Sequence, residues 1–229
     1  SYRMPPEDFT PLGAPVRYRV NLEPHNRIWL FALELPDTLP AGASLCRDYR
    51  LLSRRPVRQR LRYELSSYPA FTVGELLTAR ARQAALQLPA SGIEQTRVLA
   101  SRWRDASTDA RDVVARALEF FNRQPFVYTL QPPLLGTRPV DEFLFETRRG
   151  FCEHYASAFT LLMRAAGIPA RVVTGYLGGD ENPVDGFYTI RQSDAHAWAE
   201  VWYADQGWVR IDPTGAVAPE RIEQGIGGS

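Results

Sequence analysis

Cysteine is scarce in this chain: Cys46 and Cys152 are the only two in 229 residues. Two cysteines cannot build a disulfide framework, and whether they pair with each other cannot be read from sequence. No CxxC or clustered Cys/His pattern is present, and the three histidines, His25, His154 and His196, are too scattered to suggest a metal site by spacing. An excess of either charge is also missing. Lys and Arg number 27 against 26 Asp and Glu, so the formal charge of +1 gives no electrostatic footprint for nucleic acid or an anionic membrane surface. No apolar run approaches the ~18 residues that would span a bilayer. The opening "SYRMPPEDFTPLGAP" has neither the basic start nor the apolar centre of a signal peptide. The chain reads as soluble, with no membrane contact of its own required. Its abrupt start and its "GIGGS" ending suggest a piece of a longer protein.

What is present suits a sizeable core, with 45% hydrophobic and 23% charged residues. Residues 1–70 read as a small antiparallel β-module. In "VRYRVNLE" Val16, Tyr18, Val20 and Leu22 share one face and Arg17 and Arg19 the other. "RIWLFALEL" is a continuous apolar strand candidate, and "RQRLRYELSS" alternates again, with "EPHN" and "PDTLPAGAS" as turns. From residue 71 to 229 the texture is helical and then β. "GELLTARARQAALQLP" predicts a helix, and "SGIEQTRVLASRWRDA" predicts another with Ser91 as N-cap and Glu94 closing a capping box. "STDARDVVARALEFFNRQ" predicts a third, with Val113, Ala117, Leu118 and Phe121 on one stripe. A proline-punctuated connection follows, with a short helical piece at residues 141–146. From Phe151 a helix with an apolar face stops at Gly167 and Pro169. "ARVVTGY", "GFYTIRQS", "AHAWAEVWY" and "GWVRID" then read as four strands, which makes the fold class α+β.

The chemistry centres on Cys152. It could be a small apolar filler, a disulfide partner, a metal ligand or a nucleophile. It follows Gly150-Phe151 at a predicted helix start, where unpaired backbone N–H groups and the macrodipole favour a thiolate. The same N–H groups could hold an oxyanion during acyl transfer, and Gly150 would let the backbone approach a substrate. A nucleophilic thiol also needs a base. His196 lies in "SDAHAWAEVWY", on a strand face shared with Trp198, Glu200 and Trp202. Asp212 ends the next predicted strand, and a hairpin would set it beside His196 to fix the imidazole tautomer. Asp194, on the same predicted face as His196, is the alternative carboxylate. Glu153 and His154 flank the thiol, but helix geometry turns His154 away from a base's position beside Cys152. Trp198, Trp202 and Trp208 could wall an acyl or amine channel or could simply pack in the core. Cys46 reads as an ordinary strand cysteine.

The three stretches "GFCEHYASAFTLLMRAAGIPARVVTGY", "DAHAWAEVWY" and "GWVRIDPT" resemble the core motifs of the transglutaminase-like superfamily. The resemblance implies a papain-like core in which the cysteine-bearing helix packs on an antiparallel sheet. It implies Cys152 as nucleophile, His196 as general base and acid, and Asp212 as orienting carboxylate. "YRVNLEPHNRIWLFALELP", "YTLQPPLLGTRPVDEFLF" and "APERIEQGI" extend the likeness to the periplasmic domain of TgpA-type bacterial membrane proteins. That family implies a parent anchored in the bacterial inner membrane and acyl transfer from a protein or peptide glutamine to an amine acceptor.

Animal transglutaminases carry a tryptophan ahead of the cysteine that assists the oxyanion, and this sequence has no clear counterpart. Tyr128 in "PFVYTL" could serve through its hydroxyl, or be a core aromatic. The animal enzymes also depend on calcium. Here "GGDENPVDG" offers Asp180, Glu181 and Asp185 without EF-hand spacing and reads as a solvated turn, so no required metal or cofactor is expected. The same triad would serve a cysteine peptidase or amidase, for instance one acting on cell-wall peptides. A scaffold for membrane partners would leave it idle.

Overall fold

A computed structural model describes residues 9–46 and 48–218. The expected likeness at "APERIEQGI" therefore falls, after Ala218, outside the described residues. Contacts divide the chain into two units, one running to Leu76 together with Asp205–Gly207, the other taking the rest from Leu77.

In the first unit β1 (Phe9–Pro11) pairs antiparallel with β7 (Phe71–Val73), and β2 (Val16–Leu22) with β6 (Leu61–Ser67). β3 (Trp29–Leu30), β5 (Leu51–Ser53) and β4 (Ala43–Leu45) form a separate small sheet in that order. Tyr18, Val20 and Leu22 pack on a buried cluster of Leu30, Leu51, Val57, Tyr63 and Leu65, as their alternation predicts. The apolar run "RIWLFALEL" behaves differently, since only Trp29 and Leu30 are strand. Beyond them tyrosine hydroxyls take the place of a ladder. The Phe31 N–H donates to the Tyr63 hydroxyl, which donates back to the Phe31 carbonyl, and the Leu33 N–H donates to the Tyr18 hydroxyl.

The second unit opens with α1 (Ala79–Ala85), capped by the Thr78 hydroxyl, which accepts from the Ala81 N–H. α2 (Glu94–Asp105) follows, and its expected capping box does not form. Ile93 occupies the cap position, and the Glu94 carboxylate accepts instead from the Gly92 N–H. The leading N–H groups of α2 are satisfied from 46 residues away, where Asp141 accepts from the Gln95 and Thr96 N–H groups and the Thr96 hydroxyl. α3 (Ala110–Arg123) is capped by Asp109, which accepts from the Asp112 N–H. Pro139–Asp141 is a single helical turn, α4, that widens into a π-helical segment at Glu142–Thr147. β8 (Val127–Tyr128) and β9 (Arg149–Gly150) pair in parallel and lead into α5 (Cys152–Ala165).

α5 is the centre of this unit. Its Tyr155, Phe159, Leu162 and Met163 are fully buried against Val113, Ala117 and Phe121 of α3 and the sheet behind. Burying side chains such as Phe159 and Leu162 contributes about 2 kcal/mol each. The helix ends as predicted at Gly167, whose φ of 79° suits glycine, and the Ile168 N–H returns to the Met163 carbonyl. The sheet behind α5 runs β10 (Ala170–Tyr176), β13 (Ala195–Tyr203), β14 (Gly207–Ile211). Alternate residues Ala197, Ala199, Val201 and Tyr203 join the clusters under α5, so His196, Trp198, Glu200 and Trp202 occupy the other face.

The expected fourth strand, "GFYTIRQS", is not part of this sheet. Only Tyr188–Thr189 (β12) is extended, paired with Asp180–Glu181 (β11) in a small hairpin. The register explains this, because Tyr176 already faces Ala195, so residues 177–194 are an excursion between strands that pair directly.

Candidate active site

Cys152 is the first residue of α5 and is buried. Two short-range devices fix that helix start. β8 lies beside β9, with Tyr128 opposite Gly150, and the Thr129 N–H donates to the Gly150 carbonyl at 2.8 Å. His154 turns back on the cap, where its Nδ1 accepts from the Phe151 N–H at 3.4 Å and its ring meets Phe151 edge-on. Burial pushes the His154 pKa down, which suits a neutral acceptor. His154 is thus occupied at the helix cap, and Glu153 is exposed.

Gly150 has no room for a side chain. A Cβ there would lie 2.8 Å from Cβ and Cγ of His154 and 2.9 Å from Cε2 of Phe143, which is itself buried. Gly150→Ala is therefore expected to cost about 2–3 kcal/mol through overpacking and to slow Cys152 alkylation by displacing the helix start. An unchanged urea midpoint together with an unchanged alkylation rate would refute this reading.

His196, near the start of β13, reaches Cys152 from the sheet, and the two are hydrogen-bonded. Its Nε2 lies 2.7 Å from Oδ2 of Asp212, which leaves Nδ1 for the thiol. Asp212 follows β14 directly, and its Oδ1 accepts from the Thr214 N–H, so both carboxylate oxygens are engaged. The structure thus brings Cys152, His196 and Asp212 together in the order their motifs suggest.

Charge follows from this geometry. Burial alone would raise the Cys152 thiol. The hydrogen bond to His196, donation from the Ala197 and Glu153 main-chain N–H groups and attraction to the imidazolium outweigh that, and the pKa is lowered. Burial likewise works against a charged His196, yet the Asp212 and Cys152 hydrogen bonds and charges raise it to about 9. Both shifts favour the thiolate–imidazolium pair over the neutral one.

Other candidates fall at varied distances from this centre. Tyr128 packs against the Cys152, Ala156 and Ala197 cluster and stacks parallel to Tyr155, with ring centroids 6.3 Å apart. Trp198 stacks beside His196, also at 6.3 Å, while Trp202 is half-buried about 20 Å further along β13 and is not brought to the triad. Trp208 lies under the Arg171 guanidinium at 4.1 Å. Asp194 is not the partner of His196. The chain leaves extended geometry there, in a 3-10 turn, and the carboxylate accepts from the Arg191 N–H at 2.6 Å. In the acidic loop, Asp180 pairs with Arg191, Glu181 accepts from the Tyr188 hydroxyl and Asp185 from the Phe187 N–H. Cys46 and Cys152 are both free thiols.

Two residues outside the three motif positions also belong here. Gly175 lies opposite His196 in the register, and Arg210 of β14 stacks over Trp198 and approaches Asp212.

A model of the transglutaminase-like superfamily matches residues 97–213, a span that contains all three residues of the triad. The chain belongs to the transglutaminase-like superfamily. A model of the TgpA N-terminal domain matches residues 1–72. The crystal structure of the periplasmic domain of TgpA from Pseudomonas aeruginosa bound to ethylmercury superposes with a TM-score of 0.89. It is 46% identical in sequence, over 95% of this chain and 78% of that one. The protein-glutamine gamma-glutamyltransferase of Pseudomonas aeruginosa is 48% identical over 214 residues, which is 93% of this chain and 32% of that protein. YebA of Bacillus subtilis is 35% identical over 136 residues, 56% of this chain and 18% of YebA. The chain thus spans less than a third of these two curated relatives. The transglutaminase-like fold is the α+β arrangement described above, with the cysteine helix on an antiparallel sheet. No helix among the described residues is long and apolar enough to cross a membrane.

Proposed function

We propose that this chain is an acyltransferase that forms a thioester on Cys152 from a glutamine side chain of a protein or peptide and passes the acyl group to an amine. The observation that carries this reading is the continuous link from Asp212 Oδ2 through His196 to a lowered Cys152 thiol. The thiolate attacks the amide carbon, and the carbonyl oxygen gains the negative charge beside backbone N–H groups at the start of α5. Tyr128, packed against the cysteine cluster, is the side chain assigned to support that oxyanion. As the tetrahedral intermediate collapses, the C–N bond breaks and the His196 imidazolium gives its proton to the departing ammonia. Neutral His196 then takes a proton from the incoming lysine amine as it attacks the thioester, and the Cys152 thiolate leaves as the isopeptide forms. Water in place of the amine gives deamidation. Asp212 holds the imidazole throughout. Trp198, beside His196, is the aromatic placed to wall the approach.

The match to a periplasmic domain supports placing this chain on the periplasmic side of a bacterial inner-membrane parent. The partners of the reaction are a glutamine donor and an amine acceptor, with no role for nucleic acid.

The test is incubation with a glutamine-containing protein and a labelled primary amine. Labelled product that disappears with Cys152→Ala is expected. Cleavage of a peptide bond without amine incorporation would replace this reading with a cysteine peptidase or amidase. Neither reaction, with an unchanged phenotype in cells carrying Cys152→Ala, would leave a scaffold.

A further inference from the structure

We propose that Arg210 is a positioning residue of the triad, holding the Asp212 carboxylate by charge while the Trp198 ring holds the guanidinium. Two distances carry this. Arg210 Nη2 lies 3.8 Å from Asp212 Oδ2, the same oxygen that meets His196 Nε2 at 2.7 Å. The Arg210 guanidinium carbon lies 4.1 Å from the centre of the Trp198 ring. A planar guanidinium can stack on an indole and still present an N–H edge to a carboxylate, which a lysine ammonium does less well. Trp198 is itself fixed, because it is buried and stacks beside His196. Gly175, opposite His196 in the register, leaves the indole its space, since a Cβ there would sit 2.8 Å from Cη2 of Trp198. Arg210, Trp198, His196 and Asp212 thus form a closed ring of contacts on one face of the sheet.

The consequence is electrostatic. Asp212 Oδ2 is shared between two cations, so Arg210 moderates the pull that Asp212 exerts on the imidazolium. The other charged groups near this ring are few. Cys152 faces it from α5, where Glu153 is exposed and His154 is engaged at the helix cap. Glu200 of β13 is neutralised by Arg171 of β10 at 2.7 Å, and Asp194 before β13 is taken up by the Arg191 N–H. Residues 213–216 after Asp212 carry no ionisable side chain. Removing the Arg210 charge is expected to raise the pKa of His196, which shares Asp212 Oδ2 with it, and by the same sign that of the Cys152 thiol beyond.

The inference rests on the acyl-transfer reading only for what the triad does, so its test avoids acyl chemistry. The rate of Cys152 alkylation by iodoacetamide is followed against pH by site-resolved mass spectrometry, on the whole chain. Arg210→Met is expected to move both inflections of the profile, that of Cys152 and that of His196, up by about half a pH unit at low salt, and less in 1 M salt, because the Arg210 side chain is 39% exposed. Arg210→Gln is expected to do the same, and Arg210→Lys to stay near the unsubstituted profile. Profiles of Arg210→Met and Arg210→Gln that coincide with the unsubstituted one would overturn the proposal. So would an Arg210→Lys profile that moves with them, which would leave only packing on Trp198. A shift in alkylation without any amine incorporation would sink the proposed function and leave the role of Arg210 standing.

Discussion

Replacing His196 with alanine is expected to lower amine incorporation by about 10⁴-fold or more, near the loss seen when a nucleophile's base is removed. The reason lies in two roles carried by one ring. In the proposed mechanism Nδ1 takes the thiol proton and returns it to the departing ammonia, and the ring's charge is among the causes that hold the Cys152 thiol below its ordinary pKa of 9.0. Without the ring, its hydrogen bond and its charge no longer lower the thiol, so the pKa rises. The measurement is paired: amine incorporation and Cys152 alkylation should both collapse at neutral pH, and alkylation should return only as the pH approaches that of an ordinary buried thiol. A His196→Ala variant that still alkylates rapidly at neutral pH would show that something else activates Cys152.

The pH profile of the unsubstituted chain follows with a definite sign. For amine incorporation by the proposed mechanism, the attacking state holds a thiolate and an imidazolium together. It is lost on the acid side as the thiolate takes a proton, and on the alkaline side as His196 loses its proton near pH 9. Asp212→Asn removes a main support of the raised imidazolium, so the alkaline limb should fall back toward the ordinary histidine value of 6.5. Stability carries the same signature. A histidine raised from 6.5 to about 9 contributes stability fully below pH 6.5, and that contribution fades as the pH climbs through about 9.

The triad was legible because each member sits in a locally determined element. Cys152 begins an amphipathic helix, and His196 and Asp212 sit at the ends of alternating strands, so local pattern fixes where each backbone points. Helix geometry also placed His154 correctly away from the base's position, though not its bond to the Phe151 N–H. What sequence could not supply were features decided by distant partners. Ser91 looked like a cap, but an acceptor 46 residues away took the N–H groups of α2. Asp194 matched the strand period, yet the ladder begins only at Ala195, and beyond its end alternation has no meaning. "RIWLFALEL" is apolar enough for a strand, but the hydroxyls of Tyr18 and Tyr63 took its backbone hydrogen bonds.

The distant cap leads to the second large effect, on stability. Asp141→Ala is expected to destabilise the chain by about 3–5 kcal/mol, the cost of leaving several buried donors without an acceptor. Asp141 and Thr96 are both fully buried, at 0% exposure, so water cannot replace the lost carboxylate. Three hydrogen bonds of 2.6 to 3.0 Å disappear at once, from two main-chain N–H groups at the head of α2 and from the Thr96 hydroxyl. Asp141→Asn keeps one oxygen acceptor and should cost about half as much. Urea unfolding reads both, and a midpoint unchanged by Asp141→Ala would show that α2 needs no cap from α4. The site should feel the loss as well. The chain runs from Asp141 through buried Phe143 and Leu144 to Gly150 and Cys152, and a Cβ at Gly150 would already collide with Phe143. Loosening Asp141 therefore frees the segment that positions the start of α5, and Cys152 alkylation in Asp141→Asn should slow under conditions where the variant is still fully folded.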